Sequence, residues 1–197
     1  MHRTQFRSDQ QWQPRIVGQR ALRPWLQERG SLTARLKRQY PDFSLQVLSQ
    51  VWRKPNVDEQ ALLHVSANTR AWVREVMLMG QGQPQVFAHS VIARKDLRGE
   101  WHGLRHIGRV PLGAALFANA RVKRGCLHYR QLSKRHPLHQ AFCREYPPAR
   151  QQPLWARRSL FSLRHYRLLV TEVFLPSCTV LPRLSSVSGP ILNAIAR

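Results

Sequence analysis

The sequence predicts an α+β fold, a single domain with an antiparallel β-sheet flanked by helices. Several segments alternate apolar and polar residues with the period of two that is typical of half-buried strands. The links between them are short, which favours antiparallel neighbours, and the helical patterns are confined to the start and middle of the chain. At 197 residues with 43% apolar side chains, the chain is long enough for one domain with a substantial core.

The helices are predicted from capping residues and apolar spacing. Ser31 is a good N-cap for a helix that extends to about residue 40. Leu32 and Leu36 lie four residues apart and therefore share one face of it. A shorter helix is predicted for 21–29, and Pro111 opens another at its first turn.

The strands are predicted from alternation and from the turns between them. Gly80 and Gly82 supply turn chemistry between two strands. The link 165–167 has no turn residue and is assigned as a hairpin because it is so short. The segment 133–153 is basic and contains four prolines, so we expect an irregular surface excursion there. The predicted strands are 43–52, 70–79, 85–93, 122–132, 155–164 and 168–176.

Composition also divides the chain at its two ends. Residues 1–18 are polar and are predicted to form a basic N-terminal arm. The folded domain is assigned to 19–178, and the Ser, Pro and Gly content of 179–197 predicts a C-terminal tail. The fold prediction therefore concerns the central segment.

The charge of the chain is unusually positive. It has 32 Lys and Arg against 10 Asp and Glu, a formal net charge of +22. Such a field attracts polyanions and anionic ligands, so a basic nucleic-acid-binding protein is one alternative. The basic residues are spread along the chain without a long tract, and neither zinc-ligand spacing nor a helix-turn-helix is evident, which weakens that alternative.

The cysteines and the apolar runs bear on the cellular compartment. Three cysteines far apart, without CxxC spacing, favour a reducing cytoplasm over a disulfide framework. No stretch approaches the ~20 apolar residues of a membrane span, and no signal-peptide core is present. We therefore predict a cytoplasmic protein without a transmembrane segment.

Two charged residues stand on otherwise apolar strand faces. Glu172 alternates with Leu168, Val170 and Phe174, and Arg74 interrupts a similar face of the 70–79 strand. A buried charge is costly unless it is paired or neutralised. Glu172 is therefore either part of an ion pair with a nearby arginine or a carboxylate in a ligand pocket. Arg74 either reaches water from an edge strand or faces the same pocket.

Four short segments, in this order, resemble the chorismate pyruvate-lyase family of ubiquinone biosynthesis. No single segment is diagnostic, but their order and spacing together are specific, and the resemblance covers roughly residues 20–178. The segments are AWVREVML at 71–78, GRVPLGAALF at 108–117, LWARRS at 154–159 and LLVTEVFLP at 168–176.

The resemblance implies a ligand pocket enclosed beneath helical flaps, and a lyase that converts chorismate to 4-hydroxybenzoate and pyruvate without a metal or organic cofactor. The family's substrate-contacting arginine corresponds to Arg74 and its active-site glutamate to Glu172. Two further substrate contacts correspond to Leu32 and Leu112, which would act largely through backbone N–H groups at helix starts. Arg157 and Arg158 occupy opposite strand faces, so at most one of them points at the pocket.

These residues suggest roles that suit a dianionic substrate. Arg74 would bind the ring carboxylate, and Glu172, protonated in its apolar setting, would hydrogen-bond the substrate and assist the leaving oxygen. His89 stands where some family members carry an arginine, and we expect a surface or half-buried histidine without a catalytic role. We expect a monomer that binds chorismate and has no obligatory nucleic-acid partner. A non-enzymatic domain that binds small aromatic acids remains the other alternative.

Overall fold

A computed structural model describes residues 12–176 and contains one seven-stranded sheet in which every pairing is antiparallel. The strand order is β1-β2-β3-β7-β6-β4, and β5 also pairs with β6. The α+β prediction is confirmed. The strands are β1 Ser44–Arg53, β2 Ala71–Gly80, β3 Gln83–Ala93, β4 Lys123–Arg124, β5 His128–Leu132, β6 Leu154–Leu163 and β7 Tyr166–Phe174.

The helices are short and lie around the sheet. Ser31 caps α2 as predicted, since its Oγ accepts a hydrogen bond from the Ala34 N–H at 3.2 Å. Pro111 is the N-cap of α5 and stands just before the first turn in which we expected it. The helices are α1 Arg23–Leu26, α2 Leu32–Gln39, α3 Val57–Leu63, α4 Arg94–Leu97, α5 Leu112–Ala118 and α6 Pro137–Glu145, with 3₁₀ turns at His102–His106 and Pro147–Gln151.

The two hairpins close in different ways. The β2–β3 hairpin turns at Gln81 and Gly82, which both have positive φ, at 54° and 66°. The Asp42 carboxylate accepts hydrogen bonds from both of their N–H groups. The β6–β7 hairpin turns at Arg164, which has a φ of 55° without being glycine. A turn made by an arginine in this conformation explains why the sequence carries no turn signal at that point.

The sheet has two covered faces, and consecutive residues of a strand point to different ones. On the first face, Val76 of β2 and Phe174 of β7 pack with α1 and α2. On the second face, Phe87 and Val173 pack with Phe142 of α6. The first face holds the cavity described below.

The prediction for 133–153 is wrong. The segment contains α6, and Leu138, Phe142 and Ala149 are buried against the second face of the sheet. Pro137 is tolerated because it lies in the first turn of the helix, where no N–H donor is needed. The sequence pattern that indicates this helix is the pair of apolar residues Leu138 and Phe142, which lie four residues apart and share one helix face.

Other boundaries differ as well. The predicted strand 122–132 is interrupted at 125–127 and forms β4 and β5. The described end of the predicted arm contacts the domain, because Gln13 bridges to Tyr129 and Ile16 is buried. Residues 1–11 and the predicted tail 179–197 lie outside the described residues. Within 12–176, no helix has the length and apolar character needed to cross a membrane.

Candidate active site

The candidate active site is a cavity between the first face of the sheet and the starts of α2 and α5. It encloses about 580 Å³ of space between protein atoms, including the part that opens to solvent at its mouth. All four residues predicted for the site, Leu32, Arg74, Leu112 and Glu172, line this one cavity. Its apolar walls include Leu45, Val76, Leu78, Leu116, Phe117, Phe161 and Val170.

Arg74 is an interior residue. It lies on β2, which has β1 on one side and β3 on the other, and only 4% of its surface is exposed, so it does not reach water from an edge strand. Its Nη2 donates to the carbonyls of Gly108 at 2.9 Å and Val110 at 3.2 Å, while its buried Nε has no partner in the described structure. Burial lowers the pKa of Arg74. An anion in the cavity would compensate this cost.

Glu172 combines the two alternatives that the sequence left open. It lines the cavity, and its Oε2 also accepts a hydrogen bond from Nε of Arg157 at 2.5 Å. The sequence predicted a protonated group in apolar surroundings, whereas the structure gives this carboxylate a cationic partner. The partner comes from the facing position on β6, where Arg157 is paired with Glu172 in the sheet register.

Arg157 also fixes the segment that precedes α2 and ends at the cavity-lining Gly30. It is 1% exposed, and its Nη1 donates to the carbonyls of Trp25 at 3.1 Å, Leu26 at 3.3 Å and Glu28 at 2.6 Å. Arg158 points to the opposite face and binds Asp58 at 3.0 Å. The prediction that at most one of these two arginines faces the pocket is confirmed.

The helix starts meet at one wall of the cavity. Leu32 and Leu112 are the first residues of α2 and α5, where backbone N–H groups have no partner within the helix. Gly113 allows the two starts to approach, because a Cβ built on it would lie 3.2 Å from Oγ of Ser31 and 3.4 Å from Oγ1 of Thr33. These amides therefore lie beside the space that a ligand would fill.

The expectation that His89 lies at the surface or is half-buried is wrong. The side chain is buried on the second face of the sheet, with Glu59 at 3.0 Å from Nε2 and Glu75 at 3.0 Å from Nδ1. Burial alone would lower the pKa of His89, but the two carboxylates outweigh it and raise the pKa to about 9. The histidine is buried because it has ionic partners from α3 and β2, which sequence spacing does not reveal.

Comparison with known proteins decides the family. A family model described as chorismate lyase matches residues 7–183. The chain belongs to the chorismate lyase family. The predictions of family and fold class are thus confirmed.

Three relatives of this chorismate lyase family member are each named probable chorismate pyruvate-lyase. The protein of Methylobacillus flagellatus is 43% identical and the match covers 88% of this chain and 97% of the relative. Those of Thiobacillus denitrificans and Aromatoleum aromaticum are 45% and 46% identical, covering 80% and 86% of this chain and 84% and 91% of the relatives. Among solved structures, the C-terminal domain of a histidine utilization repressor from Pseudomonas syringae pv. tomato overlaps with a TM-score of 0.49 at 7% identity, covering 67% of this chain and 90% of that domain. That likeness is too weak to bear on function.

Proposed function

We propose that this chain is a chorismate pyruvate-lyase, which converts chorismate to 4-hydroxybenzoate and pyruvate at the start of ubiquinone biosynthesis. The observation that carries the proposal is the charge of the cavity. Its polar walls contain Arg74, Arg124, Arg157 and Glu172, a formal charge of +2 inside an otherwise largely apolar space. Chorismate is a dianion with an apolar ring, so its charge and its shape both suit this cavity.

Arg74 binds the ring carboxylate in this proposal. A planar guanidinium suits a carboxylate because it offers parallel N–H donors, and the Nε of Arg74 is buried without a partner among the described residues. The amides of Leu32 and Leu112 donate to the polar groups of the ring from the other side of the cavity.

The reaction needs no further reactant. The bond between a ring carbon and the ether oxygen breaks, and its electron pair leaves with the enolpyruvate oxygen. The adjacent ring carbon, which carries the hydroxyl, loses its hydrogen as a proton, and the electrons of that bond complete the aromatic ring. Enolpyruvate takes up a proton and becomes pyruvate, so atoms and charge balance.

Glu172 acts as a carboxylate in this scheme. Arg157 holds it in place, and it accepts a hydrogen bond from the ring hydroxyl beside the breaking bond. The negative charge that develops on the leaving oxygen is stabilised by the arginines of the cavity. The protein's task is thus to orient the substrate and to stabilise charge while aromatisation supplies the driving force.

The proposal places the enzyme in the cytoplasm as a monomer that binds chorismate and requires neither nucleic acid nor a cofactor. The high positive charge has no assigned role in it beyond attracting an anionic substrate.

The test measures 4-hydroxybenzoate and pyruvate together after purified protein is incubated with chorismate. We expect equimolar products from the wild type, a kcat lower by about 100-fold for Glu172→Gln, and no change for the exposed control Glu145→Gln. Full turnover by Glu172→Gln would remove this carboxylate from the reaction. Saturable binding of 4-hydroxybenzoate without any turnover, single turnover included, would indicate a domain that only binds aromatic acids.

A further inference from the structure

Arg124 is a cavity arginine to which the proposed reaction assigns no contact of its own. The inference drawn from it rests on the proposed function. Chorismate has two carboxylates, one on the ring and one on the enolpyruvyl group that leaves, whereas 4-hydroxybenzoate keeps only the first. A lyase for this substrate therefore needs a second anion contact that its aromatic product does not use.

The guanidinium of Arg124 is held in a fixed orientation. Its Nε donates to Oγ of Ser159 at 2.8 Å and its Nη1 donates to the carbonyl of Arg29 at 3.0 Å. The rings of Phe117 and Phe161 flank it, with centroids 5.7 and 5.3 Å from its Cζ. Nη2 makes no hydrogen bond with the described residues, and Arg124 is one of the residues that line the cavity.

The three cavity arginines differ in their ionic partners. Arg157 is paired with Glu172, whereas no carboxylate of the described residues forms a salt bridge with Arg74 or Arg124. Two cations without an ionic partner among the described residues thus line the space in which a dianion would bind. With chorismate bound, every charge in the cavity would have an opposite charge beside it.

Arg124 also lies at the end of the cavity that contains Glu172. Its partner Ser159 is two residues along β6 from Arg157, which faces Glu172 across the β6–β7 pair. Burial lowers the pKa of Arg124, and the neighbouring Glu172 carboxylate opposes this effect. Glu172 is assigned to the ring hydroxyl, and the enolpyruvyl ether is on the adjacent ring carbon. An arginine near Glu172 is therefore close to the second carboxylate.

We propose that Arg124 binds the carboxylate of the enolpyruvyl group, so that Arg74 and Arg124 together recognise the two carboxylates of the substrate. The contact serves chorismate and its transition state, because Arg124 also lies close to the oxygen on which charge develops when the ether bond breaks. The product that keeps the ring gains nothing from it. Arg124 is thus a residue that separates substrate binding from product binding.

The experiment compares the two ligands in the same variant. For Arg124→Gln, we expect kcat/KM for chorismate to fall about 10- to 100-fold, the range of a lost charge-assisted hydrogen bond. We expect the Kd of 4-hydroxybenzoate to stay within about threefold of the wild-type value, since that ligand has no second carboxylate. Arg124→Lys keeps the positive charge but loses the planar set of donors of a guanidinium. Its kcat/KM for chorismate should therefore lie between the values of the wild type and Arg124→Gln. Arg121→Gln is the control, because Arg121 is an exposed arginine three residues earlier.

Two outcomes would overturn the assignment. If Arg124→Gln raised the Kd of 4-hydroxybenzoate by as large a factor as it lowers kcat/KM for chorismate, Arg124 would act only by holding the carbonyl of Arg29 and thereby the segment before α2. If kcat/KM were unchanged, the residue would not contact substrate. Should Arg124→Gln fail to fold, Arg124→Lys decides by the same two measurements. Failure of the proposed function is a separate result, because the wild type would then not convert chorismate.

Discussion

Neighbouring residues of β2 show how differently the two faces of the sheet treat buried charge. Arg74 faces the cavity without a carboxylate partner. Glu75 faces the opposite side, where it bonds with His89 at 3.0 Å, with Ser49 at 2.9 Å and with Arg53. A buried charge with a complete set of partners stabilises the fold, whereas one without an ionic partner lies where a ligand is expected to supply it.

This comparison assigns stabilisation of the fold to the second face of the sheet and ligand binding to the first. Glu59 and Glu75 hold His89 between α3 and β2, and so fix a helix to the sheet. On the first face, the same fold leaves Arg74 and Arg124 for an incoming anion. The predictions below act on one face at a time.

The largest effect is expected from Arg74→Met, which keeps most of the side-chain volume and removes the charge. Loss of a buried bidentate contact to the ring carboxylate should lower kcat/KM for chorismate by about 1,000-fold. The Kd of 4-hydroxybenzoate should rise by a similar factor. Steady-state kinetics and calorimetric titration measure the two values. Arg70→Met serves as control, since Arg70 is exposed next to the same strand. Unchanged affinity for 4-hydroxybenzoate would remove Arg74 from the site.

The second face should respond in stability. His89→Leu leaves Glu59 and Glu75 buried without their shared cation, and we expect the free energy of unfolding to fall by about 3 kcal/mol. Urea unfolding measures this loss, and the folded variant should bind 4-hydroxybenzoate as the wild type does. The control is the exposed His102→Leu. A stable His89→Leu protein with weakened ligand binding would contradict the division between faces.

The same histidine predicts a pH dependence. Its pKa in the folded state is raised to about 9, above the ordinary value of 6.5 that applies after unfolding. The stabilisation is therefore complete below about pH 6.5 and is lost as the pH rises towards 9, by up to about 3 kcal/mol. Unfolding of wild type and His89→Leu across this range should show their difference in stability narrowing as the pH rises. A constant difference would show that His89 does not titrate there.

The smallest effect is expected at the wall formed by the starts of α2 and α5. In Gly113→Ala the added methyl group meets the hydroxyl groups of Ser31 and Thr33, at 3.2 and 3.4 Å, and separates the starts of α2 and α5. We expect 4-hydroxybenzoate to dissociate about three- to tenfold faster. The variant should still fold, because alanine is favoured over glycine in a helix by about 1 kcal/mol. Stopped-flow displacement measures the rate, with Gly103→Ala as control because nothing lies within 4 Å of its added Cβ. An unchanged rate would mean that these helix starts do not retain the ligand.

Much of the candidate site was predictable because strands have a strict period of two. That period identified Arg74 and Glu172 as charges on apolar faces, and it separated Arg157 from Arg158. Ser31 and Pro111 marked the helix starts that bear Leu32 and Leu112 through ordinary capping chemistry. The predicted roles of these residues remain predictions until they are tested.

What the sequence concealed depends on contacts between distant segments. Arg124 lies on a strand of two residues, too short for any periodic signal. Glu59, Glu75 and His89 meet only after α3 packs on the sheet, so their pairing leaves no local pattern. Helix α6 was obscured by Pro137, which composition counts as a breaker although it is well placed in a first turn.

The most direct measurement uses the adjacent pair Arg74 and Glu75, with urea unfolding of wild type, Arg74→Met and Glu75→Gln in the presence and absence of 4-hydroxybenzoate. A ligand that binds only the folded state adds stability according to its concentration and Kd, so one experiment reports both stability and binding. We predict that Glu75→Gln is less stable than the wild type but gains as much from the ligand, whereas Arg74→Met gains nothing. Stabilisation of Arg74→Met by the ligand, with none for Glu75→Gln, would contradict the assignment of ligand binding to the first face.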